Sequence, residues 1–279
     1  MAQAVTRIKK RIKVVQGSYK ITSTMKLVST VKLKRWKDKM LAFKDYSQQI
    51  DELSSLVFSC ATPKDNHFFT NNSATKKLFI IIASSLGLCG SYNNNIFRLV
   101  DETEIKPEDD VILLGKKVQN RYQNNEWQKI DTFKDYSTVK DEELIADISD
   151  FVYTAYQQKH YSEVHLIYTT YINTLLFRAT DYLVLPLKKV VDKEIVYPPI
   201  MEPDPQTLGE ALIPLYLKNT IYAKFLESEV CEHAARSNAM DNATKNAEEL
   251  FEELSIQFNK ARQSAITQEI TEIVGAANT

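Results

Sequence analysis

Three groups of residues in this 279-residue chain have types and spacings that could do chemistry. The first is SSLGLCGSYNNN, residues 84–95, where Gly87 and Gly90 follow an apolar run. A helix N-terminus behind a glycine turn is where an α/β domain holds phosphates. The GxGxxG spacing is absent, however, and no P-loop motif occurs in the chain, so a tight strand-to-helix turn is the better reading. The second group is His160, Glu163 and His165, three potential metal ligands. They straddle a helix end and a strand start without a recognised ligand spacing, which favours a solvated surface. The third is Cys89. A nucleophilic thiol needs an activating neighbour, and no histidine lies near it in sequence, so a small buried residue is expected. The expectation is therefore no catalytic group, no bound cofactor and no metal.

The elements that would position these residues fall into three stretches. From about residue 4 to 58 there is no proline and a single glycine, Gly17. Apolar side chains recur at three- and four-residue steps (Ile8, Ile12, Val15, Tyr19, then Trp36, Met40, Phe43, Ile50, Val57), which predicts one long helix with a coiled-coil seam. Between these runs the seam turns small and polar at Ser18, Thr22, Ser23, Thr24, Ser29 and Thr30. A polar loop is expected over 61–75.

The middle alternates in the manner of a parallel α/β domain. Strands are expected over 77–85, 110–114, 129–133 and 164–170, with a final extended stretch over 175–187. Helices are expected over 91–102, 116–123 and 141–161, and a proline-rich stretch from Pro198 to Pro205 closes the domain. From about 207 to 274 the chain reads as helix again, its seam running from Leu212 through Tyr222, Val230 and Met240 to Phe258 and Ala265. The boundaries are thus 1–60 for the first coiled-coil helix, 76–205 for the globular domain and 206–279 for the second helix. Two terminal helices around one domain are expected to wind as an antiparallel coiled coil. A helix of roughly 65 residues spans about 100 Å, so much of it must meet another protein.

Charge supports that arrangement. Residues 1–44 hold thirteen Lys and Arg against one acid, Asp38, whereas residues 225–272 hold ten acids against four bases. Opposite charge at the two ends favours their pairing and leaves a basic excess for a partner. The aromatics among the basic residues follow seam spacing, which argues against base-stacking platforms and nucleic acid. Cys60, Cys89 and Cys231 form no disulfide framework, which points to a reducing compartment. No signal peptide and no apolar run of membrane-spanning length are visible. A nineteen-residue stretch near the C-terminus, 259–277, carries Ala261, Ser264, Ala265, Thr267 and Thr271 where a core-packing helix would carry Leu and Ile. It reads as a rod held in another protein's cavity.

Three segments resemble the gamma subunit of F-type ATP synthases, over nearly the whole chain. These are RIKKRIKVVQGSYKITSTMKLVSTVKLKR (7–35), the turn SSLGLCGSYNNN, and EHAARSNAMDNATKN (232–246) followed by NKARQSAITQEITEIVGAA (259–277). The resemblance implies an antiparallel two-helix coiled coil plus a central Rossmann-like α/β domain. It further implies a non-catalytic rotor shaft, one copy per hexamer of alternating alpha and beta subunits. The shaft would transmit torque from a membrane ring of c subunits, contact the epsilon subunit, and sit on the cytoplasmic face of a bacterial membrane. Carried over by position, Arg236, Arg262, Gln263, Thr267 and Glu269 match residues that engage the catch loop of a beta subunit. Met25, Lys26 and Cys89 match positions near beta's acidic segment, and Glu202 falls where the family meets the c-ring. Two departures are visible: Ser85-Leu86 replaces a charged pair before GLCG, and only Ile273 and Val274 separate Glu272 from Gly275. They raise an alternative, the shaft of a paralogous rotary ATPase with a different load. A free-standing coiled-coil scaffold or nucleic-acid binder is the further alternative from another class.

Overall fold

A computed structural model of the chain describes residues 2–60, 68–70, 74–133, 141–187 and 200–277; the side chains of 2–4, 269, 272 and 275–277 are outside the described set. The expected loop 61–75 and the stretch 198–205 therefore fall partly outside the described residues. The elements in order are α1 (Ala2–Cys60), β1 (Lys77–Ile82), α2 (Tyr92–Glu102), β2 (Asp110–Leu114), α3 (Lys116–Arg121), β3 (Gln128–Lys129), a 3-10 turn (Asp131–Phe133), α4 (Asp141–Gln157), β4 (Glu163–Tyr171), β5 (Phe177–Leu185) and α5 (Pro205–Ala277). By contact they divide into two compact units, residues 1–31 with 236–279 and residues 32–235.

In the second unit the strands lie in the order β3-β2-β1-β4-β5. β1 pairs in parallel with β2 and β4, and β2 with β3. The final extended stretch, to which the sequence assigned no direction, is β5, which pairs antiparallel with β4 from Tyr171↔Phe177 onward. The reason is connection length: residues 172–176 suffice for a hairpin, whereas a parallel return needs a crossover of a dozen residues or more. Asn173 closes that hairpin, its Oδ1 accepting the backbone N–H groups of Leu175 (2.9 Å) and Leu176 (2.8 Å). The strand expected over 129–133 is reduced to two residues followed by the 3-10 turn.

Alternation along β1 divides the core in two. Leu78, Ile80 and Ile82 join one buried cluster with Val57 and Phe58 of α1, Ile145, Ile148 and Val152 of α4, and Ile213, Leu217, Ile221 and Phe225 of α5. Phe79 and Ile81 join the other, with Tyr92, Ile96 and Val100 of α2, Val118 of α3 and Cys231 and Ala235 of α5. Each such side chain contributes about 1.5–3 kcal/mol by leaving water. This burial also explains a helix that local rules would break. Pro214 lies inside α5 and costs about 3 kcal/mol in a helix interior, yet Ile213, Leu217 and Ile221 around it are at most 1% exposed. The helix begins cleanly because Asp204 caps it, Oδ1 accepting the Thr207 N–H (2.9 Å) with Pro205 in the first helical position.

Polar links hold α1 and α5 within this unit. Lys39 of α1 donates to Asp141 (2.6 Å) and lies 3.1 Å from Glu142 at the start of α4. Burial opposes its charge, but the hydrogen bonds to Asp141, Tyr222 and Glu142 outweigh it and raise the Lys39 pKa above its ordinary 10.5. Phe43 meets Tyr222 edge-on at 4.9 Å. Buried Asn219 donates to Ser47 Oγ (3.1 Å) and Asp51 (3.4 Å).

Candidate functional site

The first unit is a helix pair. Three contacts align it: Thr22 with Thr244 (2.9 Å), Lys26 with Asp241 (2.5 Å) and Thr30 with Ser237 (3.0 Å). Residue numbers rise on one helix as they fall on the other, so the pairing is antiparallel. Charge links it too: hydrogen bonds from Lys245 and Lys26 hold the Asp241 carboxyl down at about 2.

The residues singled out for partner contact occupy different settings. On this unit, Met25 is half-buried. Lys26 is exposed, but its ammonium is committed to Asp241. Arg236 is 2% exposed and belongs to the interior. Further along α5, Arg262 and Gln263 are exposed and their side chains make no hydrogen bond or ion pair among the described residues. Thr267 is exposed, with its hydroxyl donated to the Gln263 carbonyl (3.0 Å). Glu269 lies in α5 with its side chain outside the described residues. At about 100° per residue, Arg262 and Glu269 occupy one helical face while Gln263 and Thr267 occupy the next.

Cys89 and Glu202 belong to the other unit. Cys89 is buried in the turn between β1 and α2, as the bland reading of that thiol expects. The turn is closed on itself. Ser84 N–H donates to Asn93 Oδ1 (3.1 Å), Asn93 Nδ2 donates to Ser84 Oγ (2.7 Å) and Cys89 Sγ (3.1 Å), and Ser84 Oγ lies 2.6 Å from the Leu86 carbonyl. Gly90 (φ 56°) takes a left-handed conformation and so does Leu88 (φ 64°), a residue type that adopts it at a cost. Ser84, Cys89 and Asn93 are thus engaged within the turn, while Leu86 (56% exposed) and Leu88 (61%) stand exposed on it. Glu202 is exposed just ahead of α5. Sequence reasoning missed the Ser84–Asn93 lock. Its one signal is a serine at the strand end with an asparagine in the first helical turn.

The His165 setting is also informative. Nδ1 lies 2.9 and 3.1 Å from the two Asp181 oxygens, and Nε2 lies 3.1 Å from Glu163, which also pairs with Lys77. Carboxylates on opposite ring nitrogens cannot share one metal ion with the ring, and the described residues hold no cluster suited to a metal. His160 is exposed and apart from this arrangement in its bonding. The geometry suits an imidazolium donating from both nitrogens. Burial opposes that charge, but the hydrogen bonds to Asp181 and Glu163 prevail and raise the His165 pKa above 6.5. Hydrogen bonds from Lys77 and His165 lower Glu163 below 4.5. The histidine's contribution is complete below its unfolded pKa and lost as pH rises through the raised folded value. The glutamate's is complete above its unfolded pKa and lost as pH falls through the lowered one. His165→Gln should therefore destabilise most between these ordinary values, pH 4.5 and 6.5, by about 1–2 kcal/mol. Urea unfolding of both proteins across pH 4–9 measures this; a difference that grows toward alkaline pH would contradict it.

No helix among the described residues is long and apolar enough to cross a membrane. Comparison with known proteins gives a consistent result. The family model described as ATP synthase matches residues 4–279. The ATP synthase gamma chain of Mycoplasmopsis pulmonis is 36% identical over 280 residues, covering 98% of this chain and 99% of that one. The gamma chain of Clostridium novyi is 32% identical, covering 97% and 96%. Among solved structures, a chain of the Euglena gracilis mitochondrial ATP synthase assembly of OSCP, F1 and c-ring superposes with a TM-score of 0.68 at 17% identity, covering 100% of this chain and 95% of its own. A chain of the rotor of the same enzyme gives 0.64 at 15%, covering 95% and 100%. At those identities the structures speak to the fold.

Proposed function

Because the chain belongs to the ATP synthase gamma-chain family, we propose that it is the central-stalk rotor of an F-type ATP synthase, passing torque between an ion-driven c-ring and an alpha/beta hexamer. The observation that carries this reading is the antiparallel helix pair. Toward its C-terminal end α5 presents Arg262, Gln263 and Thr267, polar side chains left exposed by the described residues. Such a surface suits contacts that form and break as a shaft turns, because hydrogen bonds exchangeable with water leave little net free energy to overcome. In this reading the chain supplies no catalytic group. It biases the conformations of its partners by touching each differently.

Arg262, Gln263, Thr267 and Glu269 then engage the catch loop of beta. Arg236, being buried, acts by holding α5 in position. Met25 and Lys26 face beta's acidic segment. In the other unit, Cys89 lies beneath a turn whose exposed Leu86 and Leu88 offer beta a surface of their own. Residues 32–235 carry the contacts with epsilon and, through Glu202, with the c-ring. One copy serves each hexamer, peripheral on the cytoplasmic face of a bacterial membrane. Exposed Leu86, where the family carries a charge, favours a second reading in which a paralogous rotary ATPase drives a different load.

Co-expression with alpha and beta subunits of a bacterial F-type ATP synthase tests the proposal. A complex that holds one copy per hexamer and hydrolyses ATP faster than alpha and beta alone is the expected result. A chain that stays apart from the hexamer would overturn the rotor reading. Purification of the native complex separates the two loads, since a c-ring bound to residues 32–235 excludes the paralogue.

A further inference from the structure

Between α1, the start of α4 and α5, all within residues 32–235, lies a cavity of about 360 Å³ that the rotor reading does not use. That is within the size range of small-molecule sites, which often form between packed helices. Its apolar walls are Phe43 and Tyr46 of α1 with Leu215 and Tyr222 of α5. Phe43 meets Tyr222 at 88° with centroids 4.9 Å apart, and Tyr46 at 49° and 5.5 Å, so the rings enclose space rather than stack. Two acceptors complete the lining, Glu142 of α4 and Asn219 of α5.

Each acceptor has an oxygen left over. Asn219 is 3% exposed, and its Nδ2 is spent on Ser47 Oγ (3.1 Å) and Asp51 (3.4 Å), neither of which lines the cavity. Its Oδ1 is buried and accepts no hydrogen bond among the described residues, a state that native proteins rarely leave uncompensated. Glu142 spends Oε1 on Lys39 Nζ (3.1 Å) and the Tyr222 hydroxyl (3.3 Å), while its Oε2 is unclaimed among the described residues. Lys39 is shared with Asp141, so two carboxylates face one ammonium there. An anion would meet only acceptors at these two oxygens; a donor satisfies both, and a cationic donor also gains from the carboxylate and the rings. One ammonium already sits in this manner, Lys39 Nζ lying 5.5 Å from the Trp36 ring centroid and 5.6 Å from that of Tyr222. Lys218 also lines the cavity but is exposed and forms no ion pair among the described residues. We propose that this cavity binds a small primary alkylammonium ion. Its N–H groups donate to Asn219 Oδ1 and Glu142 Oε2, its charge lies against the rings of Phe43 and Tyr46, and its alkyl part covers Leu215.

Titration calorimetry of the full-length chain with n-butylammonium chloride tests this, against sodium chloride at matched ionic strength. Saturable binding at one site is expected, with Kd on the order of 1 mM for so small a ligand; no binding well above that concentration overturns the proposal. Two further probes separate its parts. Butan-1-ol keeps the alkyl chain without the charge, and tetramethylammonium keeps the charge without an N–H donor. Each should bind about tenfold more weakly than n-butylammonium. Equal binding of butan-1-ol would mean that the cavity is merely apolar, and equal binding of tetramethylammonium that the two oxygens take no part; either result overturns the site as described. Glu142→Gln should weaken n-butylammonium by about tenfold or more, because the amide lacks the charge while keeping an acceptor for Tyr222. Should that variant fail to fold, Tyr46→Ala decides, since Tyr46 is 46% exposed and its loss spares the core. It should weaken binding by about threefold through loss of a ring, and an unchanged Kd overturns the assignment. None of these readouts involves ATP hydrolysis, so the site and the rotor function stand or fall separately.

Discussion

Gly115→Ala should destabilise the protein more than any other single methyl addition considered, by about 3–5 kcal/mol. Gly115 joins β2 to α3 with φ 107°, and a Cβ placed there would lie 2.0 Å from the Ala83 carbonyl oxygen and 2.8 Å from its carbon. Both obstacles are backbone, so no rotamer change relieves them. The approach is close because the two turns are bonded: Ala83 N–H donates to the Leu114 carbonyl (2.9 Å) and Lys117 N–H to Ser84 (3.1 Å). Moving the β2–α3 turn away would break both bonds and disturb the Ser84–Asn93–Cys89 lock beside them. A loss of that size is a large part of the 5–15 kcal/mol typical of a folded protein. Gly87→Ala is the control, since its Cβ would meet only the Lys117 side chain at 3.5 Å; a change within about 0.5 kcal/mol is expected. Urea midpoints of the three proteins measure both values. A Gly115→Ala protein as stable as the parent would mean the two turns are not held together as described.

Arg262→Ala combined with Gln263→Ala should have the largest functional effect. Both side chains are exposed and unbonded among the described residues, so the isolated chain should keep its melting behaviour within about 0.5 kcal/mol. In the assembled hexamer the double variant removes a guanidinium and an amide from the proposed beta catch-loop contact. Losing charged hydrogen bonds at an interface costs about 2–5 kcal/mol, enough to reduce the ATPase stimulation by this chain about tenfold or more. Full stimulation with both residues removed would strike Arg262 and Gln263 from the contact set. A melting point lowered in the isolated chain would instead show that they serve its own fold.

The helical parts of this architecture were readable because they depend on neighbours in sequence. The seam from Ile8 to Tyr19 and that from Phe251 to Phe258 repeat with the helical period, and the strands 77–82 and 110–114 are short apolar runs between polar breaks. Strand β5 was placed nearly correctly as an extended segment, but its direction was not. Direction is a property of the connection and of the partner strand, and the five-residue link after Tyr171 decided it. Pro214 gives the opposite lesson. A local rule would end the helix there, and burial of the residues around it keeps the helix going.

The candidate site divides in the same way. Its residue types, the polar α5 tip and the basic α1, are properties of the chain itself, and similarity of sequence located them. What they are free to do was decided by folding. Lys26 reads as an available cation until Asp241, 215 residues away, takes its ammonium. Arg236 is buried, Cys89 is bonded from Asn93, and Arg262 and Gln263 remain exposed. By itself the sequence determined the two helices, their polar tip and the α/β domain between them, because periodicity and turn chemistry act over a few residues. Only the tertiary structure decided which polar groups are spent within the chain and which remain for a partner, because those pairings join residues that meet only when the chain has folded.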